Sequence, residues 1–331
     1  MIAYLHQSHA HGAVERYLEQ LLRGLDEAAV VVAPRSPDLE ALADVAELRP
    51  FDPALDSVGR LRHLVRELRR TRPRLVHVVD VWPLAFLAAR IARVPRVVVT
   101  HHTPELPRSD NALGRMLWRL GWATNPEVIY TSEADRAHDG RDGVVIPLGI
   151  ELDRFDVPWA PGGIVGAVAR LVEQKGIDTL VAAVPLVLER HPDVRFVVVG
   201  EGPIRDELER LAEGLPVEFL GHREDVPAEL ARFDVFALPT RFEGLCLAVI
   251  EAQAVGVPVV ATPVGGIVET VVHGETGLLV PVDDPAALAA AVSRLLEDRE
   301  LAARVATEAR RRVRERFSVP SMLDKTFTFY N

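Results

Sequence analysis

Short runs of Val, Ile, Leu and Ala alternate along this chain with longer stretches whose apolar positions recur every three or four residues. The short runs read as buried strands and the longer stretches as amphipathic helices. In the first half this predicts strands at Ile2–His6, Val30–Ala33, Leu75–Val79, Val97–Thr100, Val128–Thr131 and Val144–Pro147. Helices fall around Val14–Leu25, Ser57–Arg70 and Pro83–Ala92. The second half repeats the plan, with strands at Ile164–Val168, Arg195–Gly200, Val217–Leu220, Val235–Leu238, Val257–Ala261 and Gly277–Val280. Its helices fall near Ile177–Arg190, Ile204–Ala212, Leu245–Val255, Ile267–His273, Pro285–Glu297 and Leu301–Arg316. Such alternation builds parallel sheets covered by helices on both faces. A Pro- and Gly-rich stretch without periodicity, Asp153–Gly163, reads as the linker. The expectation is two doubly wound α/β domains facing across a cleft, with ligands outside the carboxyl ends of the strands.

Composition narrows this picture. The chain has 331 residues, 48% hydrophobic and 26% charged, which supports two cores and excludes a disordered chain. A single cysteine, Cys246, excludes an internal disulfide framework and a Cys-rich zinc site. Apolar runs such as 194–199, broken by Arg195, fall short of a membrane span, and the amino terminus enters a strand pattern with no basic leader. A soluble cytoplasmic protein is therefore expected. Residues 1–150 carry 19 basic and 19 acidic side chains, so the whole net charge of −10 lies in residues 151–331. Neither half is basic, which argues against nucleic acid as the main partner. Only Lys175 and Lys325 are lysines, so a lysine inside a motif stands out.

The chemistry concentrates after the strands of the second half. Arg241–Ala252 carries Glu243 and Glu251 eight residues apart, with Gly244 expected to open a helix. On a continuous helix eight residues turn 80° beyond two full turns, so two carboxylates address one ligand from two levels. The free amides at the helix mouth, at Gly244, Leu245, Cys246 and Leu247, suit a diphosphate. Two glutamates on a helix usually mark only a solvated face, but Glu251 lies in the apolar stretch LCLAVIEAQAV, where an unpaired charge is costly. After Val168, the loop through Arg170 and Lys175 to Gly176 offers two cations able to neutralise a diphosphate. A surface loop with two solvated cations is the bland alternative. Gly200 and Gly202, and Gly265 and Gly266, recur at strand-to-helix turns, where glycine allows close backbone approach and also simply makes tight turns.

In this order the segments ARLVEQKG, VVVGEGP, FLGHRED, ALPTRFEGLCLAVIEAQAVGVPVVATPVGGIVE and HGETGLLVPVDDP resemble retaining glycosyltransferase family 4. The resemblance spans about residues 143–297 and implies the GT-B fold of two Rossmann-like domains. It implies domains at 1–150 on the acceptor side and 151–315 on the donor side, with a segment 316–331 crossing back to the first. It also implies a nucleotide diphospho-sugar donor, with Arg170 and Lys175 as the diphosphate pair. Glu251 would then hold the ribose hydroxyls, and Glu243 would lie near the transferred sugar. Gly244 and Leu245 complete the phosphate cradle. No metal or other cofactor is implied, and retention would follow from front-face attack, with the departing phosphate taking the acceptor's proton. The first half matches more loosely. Gln7–Arg16 resembles the family's glycine-rich loop, but His11 stands where the first glycine is expected and only Gly12 remains. Val97–Thr103 resembles the segment carrying the family's active-site histidine, and the spacing favours His102 over His101 as a hydrogen-bond donor to the sugar.

Other features have bland readings. The spacing of His6, His9 and His11 fixes no acidic partner and argues against a metal site. The arginines from Arg60 to Arg74 offer a contact with a phosphorylated acceptor or a peripheral one with anionic lipid at the inner face of a membrane, against the commoner reading of a solvated helix face. Asp110–Trp122 is amphipathic and is expected on the acceptor side. The resulting expectation is transfer of a sugar from a UDP- or GDP-sugar to a glycan, lipid-linked or small-molecule acceptor. The alternatives are a nucleotide-sugar epimerase or hydrolase on the same scaffold, and a non-catalytic nucleotide-sugar-binding subunit.

Overall fold

The computed structural model of the chain describes residues 1–7, 13–102 and 112–331. The chain forms two compact units, Met1–Pro147 together with Met322–Asn331, and Leu148–Ser321.

In the first unit the strands are β1 (Ile2–Leu5), β2 (Ala29–Val32), β3 (Glu47–Leu48), β4 (Leu75–Val78), β5 (Arg96–His101), β6 (Glu127–Tyr130) and β7 (Val144–Val145). Its helices are α1 (Ala13–Arg23), α2 (Pro37–Glu40), α3 (Ser57–Thr71), α4 (Pro83–Ala92), α5 (Ala112–Trp122) and α6 (Glu133–Asp139). Among the described residues all seven strands pair in parallel, in the order β3-β2-β1-β4-β5-β6-β7. Strands β1, β2 and β4 are buried at every position, the mark of a sheet covered on both faces. Asp56 and Ser132 cap α3 and α6 by accepting the amides of Gly59 (2.7 Å) and Asp135 (3.0 Å).

In the second unit the strands are β8 (Ile164–Val168), β9 (Arg195–Val199), β10 (Val217–Gly221), β11 (Val235–Leu238), β12 (Val259–Ala261) and β13 (Leu278–Leu279). The helices are α7 (Ile177–Leu188), α8 (Arg205–Leu211), α9 (Val226–Ala231), α10 (Leu247–Val255), α11 (Ile267–Thr270), α12 (Pro285–Glu297) and α13 (Arg299–Arg316). The order β10-β9-β8-β11-β12-β13 makes β8 and β11 the neighbours at which the winding reverses. The stretch read as the linker is bound to this unit. The indole N–H of Trp159 donates to the Phe233 carbonyl (2.7 Å), and Asp234 Oδ2 accepts the amides of Gly163 (2.7 Å) and Ile164 (3.0 Å).

The last helix, α14 (Val319–Tyr330), belongs from Met322 onward to the first unit. Arg74 and Arg96 donate to the Tyr330 carbonyl at 3.2 and 2.6 Å, capping the end of the helix with positive charge. The Tyr330 hydroxyl is hydrogen-bonded to His77 Nδ1, and His77 Nε2 to Thr100 Oγ1 at 2.7 Å. Burial pushes the His77 imidazole down to about 3, so the ring stays neutral.

Candidate functional site

Apart from Leu247 and Glu251 on α10, each site residue of the second unit stands on a loop leaving the carboxyl end of a strand. After β8 the chain runs through Arg170 to a single 3₁₀ turn, Glu173–Lys175, and then enters α7. After β11 it runs through Thr240 to Cys246 and enters α10. Because β8 and β11 flank the reversal of winding, these two loops meet over the crevice where such sheets bind ligands.

Hydrogen bonds stitch the two loops together. The Arg241 amide donates to the Gln174 carbonyl (2.7 Å), Thr240 Oγ1 donates to the same carbonyl (2.9 Å), and Gln174 Nε2 donates to the Phe242 carbonyl (2.7 Å). Arg241 anchors the edge through both oxygens of Asp178 (3.0 and 2.6 Å) and through Asp283 (2.8 Å). This scaffold brings the Lys175 ammonium onto Glu243 Oε1, which also accepts from Thr240 Oγ1 at 3.1 Å. Arg170 is exposed and makes no side-chain hydrogen bond or ion pair among the described residues. The site therefore holds one fixed cation and one uncommitted cation.

Two glycines set the walls. Gly265, at φ +51°, lies where a Cβ would meet the Glu243 carbonyl oxygen at 1.8 Å, and the Gly266 amide donates to the Gly244 carbonyl at 2.6 Å. The turn after β12 thus presses on the backbone that carries Glu243. Gly200, at φ +136°, lies where a Cβ would meet the Ala169 carbonyl oxygen at 1.9 Å. What it approaches closely is the neighbouring backbone of the loop that bears Arg170.

The helix begins later than its pattern implied. Cys246 sits in the left-handed region at φ +54°, so α10 starts at Leu247 and Gly244 lies three residues before it. The 80° wheel relation between Glu243 and Glu251 fails for that reason: Glu243 is on the loop and Glu251 on the helix, both buried. The irregular entry leaves the amides of Gly244 through Ala248 without a hydrogen-bond partner among the described residues. Such a cluster of donors at a helix start favours an anion. Burial and the nearby Glu243 carboxylate push the Cys246 thiol well above its ordinary range, so it stays protonated and unreactive. Thr240 and Gln174 are supports that sequence reasoning passed over; the Pro239–Thr240 step directly before Arg241 was the available signal for the first.

In the first unit, His102 follows β5 and its Nε2 donates to the Val79 carbonyl at 2.7 Å. Burial holds this ring below its ordinary pKa against the opposing pull of Asp80. A neutral ring with its proton on Nε2 presents Nδ1 as a bare acceptor, and Nδ1 is buried without a partner among the described residues. In this tautomer the ring's one N–H is committed to the Val79 carbonyl. His101 is buried and likewise held down by burial. His6 is engaged by Glu15 (3.0 Å). Gly12, His9 and His11 lie outside the described residues. Among the described residues no group of three or more His, Cys, Asp or Glu side chains is placed to hold a metal, and no helix is long and apolar enough to cross a membrane.

Known proteins resemble this chain over both units. Residues 14–154 match the family model "Glycosyltransferase Family 4" and residues 162–298 match "Glycosyl transferases group 1". A GDP-mannose-dependent alpha-(1-6)-phosphatidylinositol monomannoside mannosyltransferase of Mycobacterium tuberculosis is 32% identical, covering 88% of this chain and 87% of that protein. The lipopolysaccharide core biosynthesis glycosyltransferase LpsE of Rhizobium meliloti is 27% identical over 95% of this chain and 94% of its own. Among solved structures, Anabaena HepE in complex with UDP and glucose superposes with a TM-score of 0.83 at 25% identity, covering 99% of this chain and 98% of that one. Sucrose-phosphate synthase from Thermosynechococcus elongatus shares the fold, at a TM-score of 0.78 and 22% identity over 100% of this chain and 98% of that one.

Proposed function

The chain belongs to glycosyltransferase family 4, and from that premise we propose that it moves a hexose, with retention of configuration, from a nucleotide diphospho-sugar held by its second unit. The observation that carries this reading is the Lys175–Glu243 pair between the β8 and β11 loops, flanked by the uncommitted Arg170 and the free amides of 244–248. Charge that develops on a departing diphosphate meets two cations and a ring of N–H donors already in place, which is where such catalysis gains most. With the protein supplying that positive charge, the transfer needs no metal ion. Glu251 takes the ribose hydroxyls, and Glu243 positions the hexose. On the first unit, the bare Nδ1 of His102 accepts a hydrogen bond from a sugar hydroxyl.

The step breaks the bond between the anomeric carbon and the diphosphate oxygen and forms one to the acceptor oxygen on the same face. The acceptor's proton passes to the departing phosphate. Similarity to the mannosyltransferase favours GDP-mannose as donor, and likeness to HepE, solved with UDP and glucose, favours a UDP-hexose as the second candidate. The named relatives build glycolipid and polysaccharide, which supports a glycan or lipid-linked hydroxyl as acceptor.

A thermal-shift panel of GDP, UDP, ADP and dTDP with their hexose conjugates, run in EDTA and then in Mg²⁺, tests the donor. Selective stabilisation by one base in EDTA is expected. The anomeric proton signal of the transferred sugar then tests retention. Absence of any nucleotide shift from folded protein, or stabilisation that requires Mg²⁺, would sink this reading.

A further inference from the structure

One face of the first sheet carries a stripe of polar side chains among apolar strands. Side chains alternate along a strand, so Tyr4 and His6 share this face at β1, as Thr100 and His102 do at β5, with His77 on β4 between them. Ring contacts place them together: Tyr4 with His77 at 5.7 Å between centroids, and Tyr17 of α1 with His102 at 5.3 Å. Deep in the stripe both nitrogens of His77 are used, Nδ1 by the Tyr330 hydroxyl and Nε2 by Thr100. At the carboxyl edge this completeness ends.

His6 stands one residue beyond β1 and is only 5% exposed. Its Nε2 lies 3.0 Å from Glu15 Oε1 on α1. A carboxylate only accepts, so the proton of the neutral ring sits on Nε2 and Nδ1 is a bare acceptor. That nitrogen, like Nδ1 of His102, is buried with no hydrogen-bond partner among the described residues. Both rings are held in the same tautomer by an oxygen behind them, the Glu15 carboxylate for one and the Val79 carbonyl for the other. A buried acceptor without a donor costs stability, and two of them at one sheet edge fit a ligand that brings the donors. In strand order β1 and β5 flank β4, which sets the two positions about 10 Å apart. Two hydroxyls on opposite sides of a hexose ring, about 5 Å apart and each extended by a hydrogen bond of about 2.8 Å, span the same distance.

We propose that His6 is a specificity-determining residue whose Nδ1 accepts a hydrogen bond from a second hydroxyl of the sugar that His102 contacts, with Glu15 as the positioning residue that fixes its tautomer. The inference rests on the transfer reading and on the place of His102 in it. Two acceptors set apart in this way make the first unit a gauge of the hexose. It admits a sugar carrying both hydroxyls and discriminates against the analogue lacking either, because a buried acceptor then stays unpaired.

Monodeoxy analogues of GDP-mannose, or of the UDP-hexose where that is the donor bound, test it on the full chain. In the wild type, removal of the hydroxyl facing His6 is expected to lower kcat/KM about tenfold, the loss of one neutral hydrogen bond. His6→Phe shows about the same loss with the complete sugar and no further loss with that one analogue, while its losses with the others match the wild type. His6→Asn, which carries an acceptor where Nδ1 stood, stays within about threefold of the wild type. Long-range ¹H–¹⁵N spectra near pH 8, where an ordinary histidine is neutral, read the tautomer directly. The His6 proton is expected on Nε2, the Nδ1 resonance moves when the nucleotide sugar is added, and Glu15→Ala removes the tautomer preference. A His6 proton on Nδ1, unchanged kinetics in His6→Phe, or equal further losses in that variant with every analogue would overturn the assignment and leave wild-type transfer standing. No transfer by the folded wild type would instead sink the transfer reading, and an Nδ1 resonance unmoved by nucleotide sugar and by free hexose would remove His6 as well.

Discussion

The two units share the strand order 3-2-1-4-5-6 and place different chemistry at its carboxyl edge. In the second unit that edge is braced by backbone bonds, a Lys–Glu pair and a glycine pressed against the Glu243 carbonyl. In the first it carries imidazoles held neutral by burial, with ring nitrogens unpartnered among the described residues. Fixed charge suits a diphosphate, and neutral acceptors suit hydroxyl groups. The topology chooses the place, and the loops choose the ligand class.

Four measurements break or sharpen this contrast. The largest effect is expected at Gly265→Ala, where left-handed backbone and overlap with the Glu243 carbonyl together cost about 3 kcal/mol in urea unfolding. Gly214→Ala, equally left-handed but with open space around it, costs only about 1 kcal/mol. Equal costs would show that the brace is not rigid. Next, Lys175→Ala lowers kcat/KM about a hundredfold, near 2.7 kcal/mol of transition-state stabilisation, and Glu251→Ala at least about tenfold. Unchanged kinetics in both would remove the site from the second unit. His102→Ala is expected to cost about tenfold, or 1.4 kcal/mol, since one neutral hydrogen bond is lost; a loss matching that of Lys175→Ala would erase the contrast.

The smallest effect at neutral pH concerns His77. Its folded pKa of about 3 lies below the ordinary histidine value, so between roughly pH 6.5 and 3 the unfolded chain binds a proton that the folded chain refuses. Stability is therefore full above that window and falls as pH drops through it, with His101 and His102 adding in the same direction. A flat unfolding free energy between about pH 7 and pH 5 would contradict the buried neutral state.

The sheets and the site loops were legible because parallel strands buried on both faces read as unbroken apolar runs, and because the loops after β8 and β11 hold charge where apolar residues dominate. The start of α10 was not, since nothing in the letters GLCLAV announces a left-handed cysteine. Strand β3, two residues at a sheet edge with an exposed glutamate, carries no alternation to detect. Helix α6 was detectable in principle from the Ser132 cap and the closing Gly140, but it is short and half polar, so periodicity alone passes over it.

The capture of Tyr330 by Arg74, Arg96 and His77 bears on how the molecule is made. During synthesis most of the first unit is made before the second, but Met322, Thr326 and Tyr330, all buried in it, are made only after Leu148–Ser321. Leu148–Ser321 can close around its own core while its predecessor still lacks a helix. The unit made mostly earlier is the one completed later, and a fragment ending at Pro147 would leave Tyr4, His77 and Tyr17 without the surface that buries them.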